Sequence, residues 1–150
     1  MEKLKIGDKA PDFNLSAEVL PGKKTVLYFY PKDNTPGCTL ESCGFNEALD
    51  QFSALGAQVV GVSKDSLESH AKFKQRYDLR FPLLSDPKGD LCCAYQVLAE
   101  KTMFGKKYFG IERSTFLIDE AGVIREIWRK VSVTGHVKQV LQAIKNADNT

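Results

Sequence analysis

The chain has 150 residues, 43% of them hydrophobic and 27% charged, with a formal net charge of +2 at neutral pH. Surface scaling gives about 7,600 Å² exposed when folded against about 24,000 Å² unfolded, so a full core forms without disulfides and disorder is excluded. The first 75 residues carry 9 basic and 10 acidic side chains and the second 75 carry 12 and 9, which lacks the clustering a nucleic-acid or anionic membrane surface needs.

No repeat, linker or low-complexity tract divides the sequence, and a single domain over residues 1–150 is expected. The charged opening MEKLKIGDKAPDF has no apolar signal core, and no 18-residue apolar run occurs. A cytoplasmic, reducing setting with no membrane partner is therefore expected. The first readable element is TVLYFYP, residues 25–31. Its unbroken apolar run predicts a central strand buried on both faces, ended by Pro31. KDNTPG is a loop. From Cys38 the period becomes helical, with Leu40, Cys43, Ala48, Leu49, Phe52 and Leu55 as the apolar stripe and Gly56 as the stop.

AQVVGVS, residues 57–63, predicts a second buried strand, and residues 66–77 an amphipathic helix with Leu67, Ala71, Phe73, Lys74 and Tyr77 in register. FPLLSDPKGD is a turn-rich connection, and Leu91 to Val97 a short helix. Lys101, Lys106 and Lys107 form a small basic loop. Residues 114–131 hold two strand-like runs around Glu120, Ala121 and Gly122, a hairpin pattern. Thr134 to Ala147 closes the chain as a helix. This order implies an α/β thioredoxin-like fold, a mixed central sheet flanked by helices on both faces.

The cysteines are Cys38, Cys43, Cys92 and Cys93. Without a CxxC pair they match neither a disulfide scaffold nor a structural zinc site. Cys38 stands where the loop gives way to a helix, where unpaired amides and the helix dipole favour a thiolate; the alternative is a small buried hydrophobe. Thr35 is either a hydroxyl partner for something bound at that sulfur or a turn residue. Pro31 and Pro36 stiffen the loop and Gly37 permits close approach, which suits a pocket for two or three atoms. Cys43 is either a second reactive thiol or an inert residue on the stripe. Five residues of ideal helix separate its Cα from that of Cys38 by about 8.7 Å. A disulfide needs less than about 7 Å, so the two cannot join while the helix is intact. Arg113, before STFLID, either reaches the thiol with its fork of donors or pairs with Glu112. His70 and His136 are expected at the surface or half-buried, and Trp128 on the sheet. Cys92 and Cys93 point in different directions on any regular element, so at most one is buried.

Pro31, Thr35 and Cys38 within FYPKDNTPGCT, with GDKAPDFNL, SKDSLESHAKF, FPLLSDPKG and GIERSTFLID in the same order, resemble the peroxiredoxins, in particular the bacterioferritin comigratory protein or peroxiredoxin Q group, over residues 6–145. The resemblance implies that Cys38 is the peroxidatic cysteine, Thr35 its hydroxyl partner, Arg113 the thiolate-activating arginine and Pro31 a shield of the pocket. Cys43 resembles the resolving cysteine of members that carry both thiols in one helix. Members that resolve from the next helix would have a cysteine near Lys74, and none is there. The stretch between Phe13 and Thr25 is shorter than is common in the group.

The implied activity is thiol-dependent reduction of hydrogen peroxide and organic hydroperoxides through a sulfenic acid and an intramolecular disulfide. Thioredoxin or a similar dithiol would recycle it, with no metal, haem or flavin, in a monomer. Two other readings remain at this point. A general thiol–disulfide oxidoreductase would carry a CxxC, and a thioredoxin-fold interaction or holdase module would tolerate loss of Cys38.

Overall fold

The computed structural model describes residues 3–13 and 16–148. In chain order the elements are β1 (Lys24–Phe29), α1 (Pro36–Glu47), α2 (Leu49–Ala54), β2 (Ala57–Ser63), α3 (Leu67–Tyr77), β3 (Leu83–Ser85), α4 (Asp90–Ala94), β4 (Leu98–Met103), β5 (Lys106–Ile111), β6 (Ser114–Ile118), β7 (Ile124–Trp128) and α5 (His136–Asp148).

The main sheet runs β3-β2-β1-β6-β7. β1 is parallel to β2, with Val26 opposite Val59, and antiparallel to β6, with Leu27 opposite Phe116. β2 and β3 are parallel, and β6 and β7 are antiparallel. The strand alternation of β1 divides the interior. Val26 and Tyr28, with Tyr30 just beyond, enter a core with Phe45, Phe52, Phe73 and Ile144 from the helices. Leu27 and Phe29 enter the opposite core with Leu91, Cys92 and Tyr95. Helices thus cover both faces of a mixed sheet, which is the thioredoxin-like arrangement. Among the described residues, no helix is long and apolar enough to cross a membrane.

Several sequence expectations change. The helix from Cys38 to Leu55 is two helices, because Ala48 (φ −91°, ψ 4°) turns the chain between them. That turn keeps Phe45 and Phe52 within 5.7 Å of one another in the same core. Leu40 is 62% exposed, because the buried face of α1 runs through Cys38, Glu41, Ser42 and Phe45. Leu67 opens α3 and is also exposed, whereas His70 and Phe73 face inward. The turn-rich connection contains the three-residue β3, too short for a readable alternation. The basic loop is a separate hairpin of β4 and β5, with Lys101 opposite Tyr108. Its turn places Phe104 (φ 53°) and Gly105 (φ 76°) in the left-handed region that a two-residue hairpin requires. A Phe-Gly turn between weakly apolar strands gives little signal in sequence. In the shortened stretch before β1, Val19 is buried in the second core, and Asn14 and Leu15 lie outside the described residues.

Candidate active site

The loop from β1 into α1 begins where Pro31 withdraws a donor from the sheet. Thr35 is the extended residue before the helix, Pro36 is its first residue and Thr39 N–H closes the first turn on Thr35 O at 2.8 Å. Helix geometry leaves the amides of Gly37 and Cys38 without intrahelical acceptors. The Thr35 hydroxyl does not cap them: it donates to Lys32 O at 2.9 Å. With its proton committed there, Thr35 presents acceptor lone pairs. Cys38 is the third helical residue and only 1% exposed.

Arg113 arrives by strand register. Phe29 pairs with Ser114 across β1 and β6, so the residue before Ser114 lies beside the end of β1, where the loop departs. From there Arg113 Nη2 donates to Cys38 Sγ at 3.3 Å. Nη1 donates to Glu41 Oε1 at 2.7 Å, so its ion-pair partner is Glu41 and not the adjacent Glu112. Gly37 leaves room for the guanidinium here, because a Cβ on it would come within 3.3 Å of Nη2.

Glu41 escaped the sequence reading, although an acid three residues after Cys38 shares its helix face and gave a usable signal. Its carboxyl is buried, and Oε2 is, among the described residues, the one buried side-chain polar atom without a hydrogen-bond partner. Burial outweighs the charge and hydrogen bond of Arg113 and pushes the carboxyl up to about 7.

All four cysteines are free thiols. Cys43 is half-buried in the same regular helix as Cys38, and burial together with the charge of Glu47 pushes its thiol up. Cys92 is buried and Cys93 exposed, as the sequence requires of adjacent residues. Burial and the Asp86 carboxylate push the Cys92 thiol up strongly.

The expectation for the histidines is corrected. His70 and His136 are each 2% exposed. His136 Nε2 lies 2.7 Å from Thr115 Oγ1, and its ring packs edge-on against half-buried Trp128 at 5.6 Å. His70 Nδ1 lies 2.7 Å from Asp33 Oδ2. Two polar side chains on inward helix faces find partners that only the tertiary fold supplies. Asp33, Asp65 and His70 bring their polar atoms within 4.8 Å, the one such gathering of potential ligands among the described residues. Asp33 already accepts from Tyr30 Oη, Ser69 Oγ and His70, so this arrangement satisfies itself without a cation.

Beside the loop lies a groove of about 650 Å³, lined by Pro31, Thr35, Met103, Phe104, Tyr108 and Ile111. The β4–β5 hairpin supplies its apolar wall. The sequence expectation of space for two or three atoms does not describe this groove.

A buried thiol at a helix start, held by an arginine that a carboxylate holds in turn, is chemistry for attack on an electrophilic atom whose leaving group departs as an anion. Residues 6–127 match the model of the AhpC/TSA family. A peroxiredoxin Bcp relative from Coxiella burnetii is 53% identical over 146 residues, covering 92% of this chain and 97% of its own. The bacterioferritin comigratory protein of Xanthomonas campestris has been solved in trapped intermediate and ligand complexes bearing on its alkyl peroxide reduction. It is 48% identical, covers 85% of this chain and 81% of its own, and superposes with a TM-score of 0.81. A PrxQ cysteine mutant from Xylella fastidiosa is 40% identical and covers 99% of both chains at a TM-score of 0.86. With the resemblance spanning the whole fold, the chain belongs to the peroxiredoxin Q/Bcp group of the AhpC/TSA family and has peroxiredoxin-type peroxidase activity.

Proposed function

We propose that the protein reduces hydrogen peroxide and organic hydroperoxides at Cys38 and resolves the product with Cys43, as an atypical two-cysteine peroxiredoxin. The observation that carries this reading is the 3.3 Å contact between Arg113 Nη2 and the buried Cys38 sulfur at the start of α1. The thiolate attacks one peroxide oxygen, and the O–O bond breaks as the S–O bond forms. Arg113 and the amides of Gly37 and Cys38 steady the negative charge moving onto oxygen, and a lone pair of Thr35 accepts a hydrogen bond from the peroxide O–H. Alkoxide or hydroxide leaves and is protonated, and Cys38 becomes a sulfenic acid. Pro31 flanks the entrance, and the apolar groove supports organic hydroperoxides as substrates, the class that the Xanthomonas campestris relative reduces.

Cys43 then displaces water from the sulfenic acid to form the disulfide. In the folded helix the Cα separation of about 8.7 Å forbids that bond, so the first turns of α1 must unwind. Gly44 makes opening easier, since glycine weakens a helix by about 1 kcal/mol relative to alanine. Before opening, burial and the charge of Glu47 push the Cys43 thiol up, which disfavours its thiolate. Opening presents the disulfide to a protein dithiol of the thioredoxin type, which takes up the oxidation and returns both thiols. We place this cycle in a monomer in the cytoplasm. The test is peptide mapping after one equivalent of peroxide. A Cys38–Cys43 bond in the wild type, and a dimedone adduct on Cys38 in Cys43→Ser, are expected; a bond to Cys92 or Cys93 overturns the assignment of Cys43.

A further inference from the structure

We propose that Asp33 and His70 form a buried hydrogen-bonded pair that positions the peroxide loop, residues 31–37, and keeps it anchored while α1 unwinds. The inference rests on the reading of Cys38 as the reacting thiol.

His70 Nδ1 meets Asp33 Oδ2 at 2.7 Å, and Nε2 meets Leu84 O at 3.0 Å. A carbonyl oxygen only accepts, so Nε2 carries a proton. Asp33 Oδ2 also accepts from Ser69 Oγ at 2.8 Å, and Oδ1 from Tyr30 Oη at 2.6 Å. With two hydroxyls already donating to the same carboxyl, the contact to Nδ1 is one bond of a closed, buried network. Burial works against the charge on Asp33, but the hydrogen bonds from His70, Tyr30 and Ser69 outweigh it and hold the carboxyl below its ordinary value. The pair is closed to solvent, with side-chain exposures of 3% for His70 and 1% for Asp33.

The titratable groups gathered at His70 are Asp33 from the loop, Tyr30 from the end of β1 and Asp65 from the turn after β2. Asp65 Oδ2 accepts the Asp33 main-chain N–H at 2.8 Å and the Ser63 hydroxyl at 2.7 Å. The loop is thereby tied, through one residue, to α3 and β3 and to the turn after β2, none of which contains Cys38 or Cys43. Asp33, Asp65 and His70 are each already engaged in these hydrogen bonds, which is what makes the gathering an anchor. Downstream of Asp33 lie Thr35, Gly37 and the amide of Cys38. An anchor at Asp33 sets where these meet the peroxide, whereas the thiolate itself depends on Arg113 and the helix start. Asp33 and His70 are positioning residues in this account.

The test uses the full chain in His70→Gln, Asp33→Asn and the milder Ser69→Ala, which leaves the pair in place. Reaction with peroxide should slow about tenfold in the first two, while alkylation of Cys38 by iodoacetamide stays within about twofold of wild type, the pattern of lost positioning rather than lost thiolate. The double variant should be no slower than the slower single one. Hydrogen exchange on the wild type is the second arm and needs no variant to fold. The Asp33 amide should remain protected in the disulfide form, while amides within 38–43 lose protection. An unchanged peroxide rate, alkylation that falls in step with it, or an Asp33 amide that opens together with α1 overturns the proposal. Failure of the underlying reading is separate and visible, since Cys38→Ser would then retain peroxidase activity.

Discussion

Two helices of this molecule carry a buried cysteine at their third position, Cys38 in α1 and Cys92 in α4. By helix position and burial alone they are equivalent. They differ in what faces them. The first-turn amides of α1 have no side-chain cap, and a guanidinium lies 3.3 Å from the sulfur. In α4 the Asp86 carboxylate takes the amides of Leu91 and Cys92 at 3.2 and 2.8 Å, and its charge adds to burial in holding the thiol protonated. A helix start therefore does not by itself make a nucleophile. The amides have to remain available, and the neighbouring charge has to be positive.

The comparison is sharpest when each cysteine is removed. Cys38→Ser should abolish peroxide consumption in stopped-flow measurements, while a Cys92→Ala/Cys93→Ala variant should keep dithiol-dependent turnover within about threefold, as expected for one packing residue and one exposed residue outside the reaction. Turnover lost only in the latter would invert the comparison. Cys43→Ser should consume about one peroxide per chain and then stop, because a sulfenic acid without its partner cannot enter the disulfide cycle; sustained turnover with a dithiol would show that another thiol resolves Cys38.

The carboxylates beside the two cysteines also play opposite parts, and Glu41→Gln tests the one in α1. Its carboxyl is raised from an ordinary 4.5 to about 7, so between these values the unfolded chain loses its proton first. Stability relative to Glu41→Gln should then be greatest below about pH 4.5 and decline as pH rises to about 7, by about 3 kcal/mol. Denaturant midpoints over this range give the measurement, and parallel curves for the two proteins would refute the buried-acid account.

Arg113→Lys removes the fork and keeps the charge. The peroxide step should slow by about tenfold or more, with Cys38 alkylation at neutral pH slowed as well, the scale of one charge-assisted hydrogen bond. Equal rates would leave Arg113 as a structural partner of Glu41 only. The smallest effect is expected from Gly37→Ala, whose added Cβ would press on Arg113 Nη2 at 3.3 Å. With Nη1 held by Glu41 the guanidinium has little room to yield, and a slowing of about threefold is expected, the scale of mild overpacking. A rate equal to wild type would mean the guanidinium shifts freely.

Much of this was legible along the chain because the signals were local. The unbroken apolar run of β1, the proline that ends it and the placement of Cys38 at a helix start all depend on neighbours in sequence. The same holds for the hairpin of β6 and β7, whose turn is built by Asp119 Oδ1 accepting the amides of Ala121 and Val123 at 2.9 Å. The β4–β5 hairpin was not legible, because a Phe-Gly turn and strands with mostly exposed side chains carry neither turn chemistry nor a clear alternation.

The sequence by itself determined the order of the elements, the buried central strand and the position of one cysteine where a helix leaves its amides unpaired. Only the tertiary structure decided which thiol met a cation, because Arg113 reaches Cys38 across 75 residues through the β1–β6 register. Folding likewise turned His70, on a polar-looking helix, into the buried partner of Asp33 across 37 residues. Periodicity reports which face of an element avoids water, but a polar pair buried between elements is set by how those faces are assembled, and nothing local to either residue encodes it.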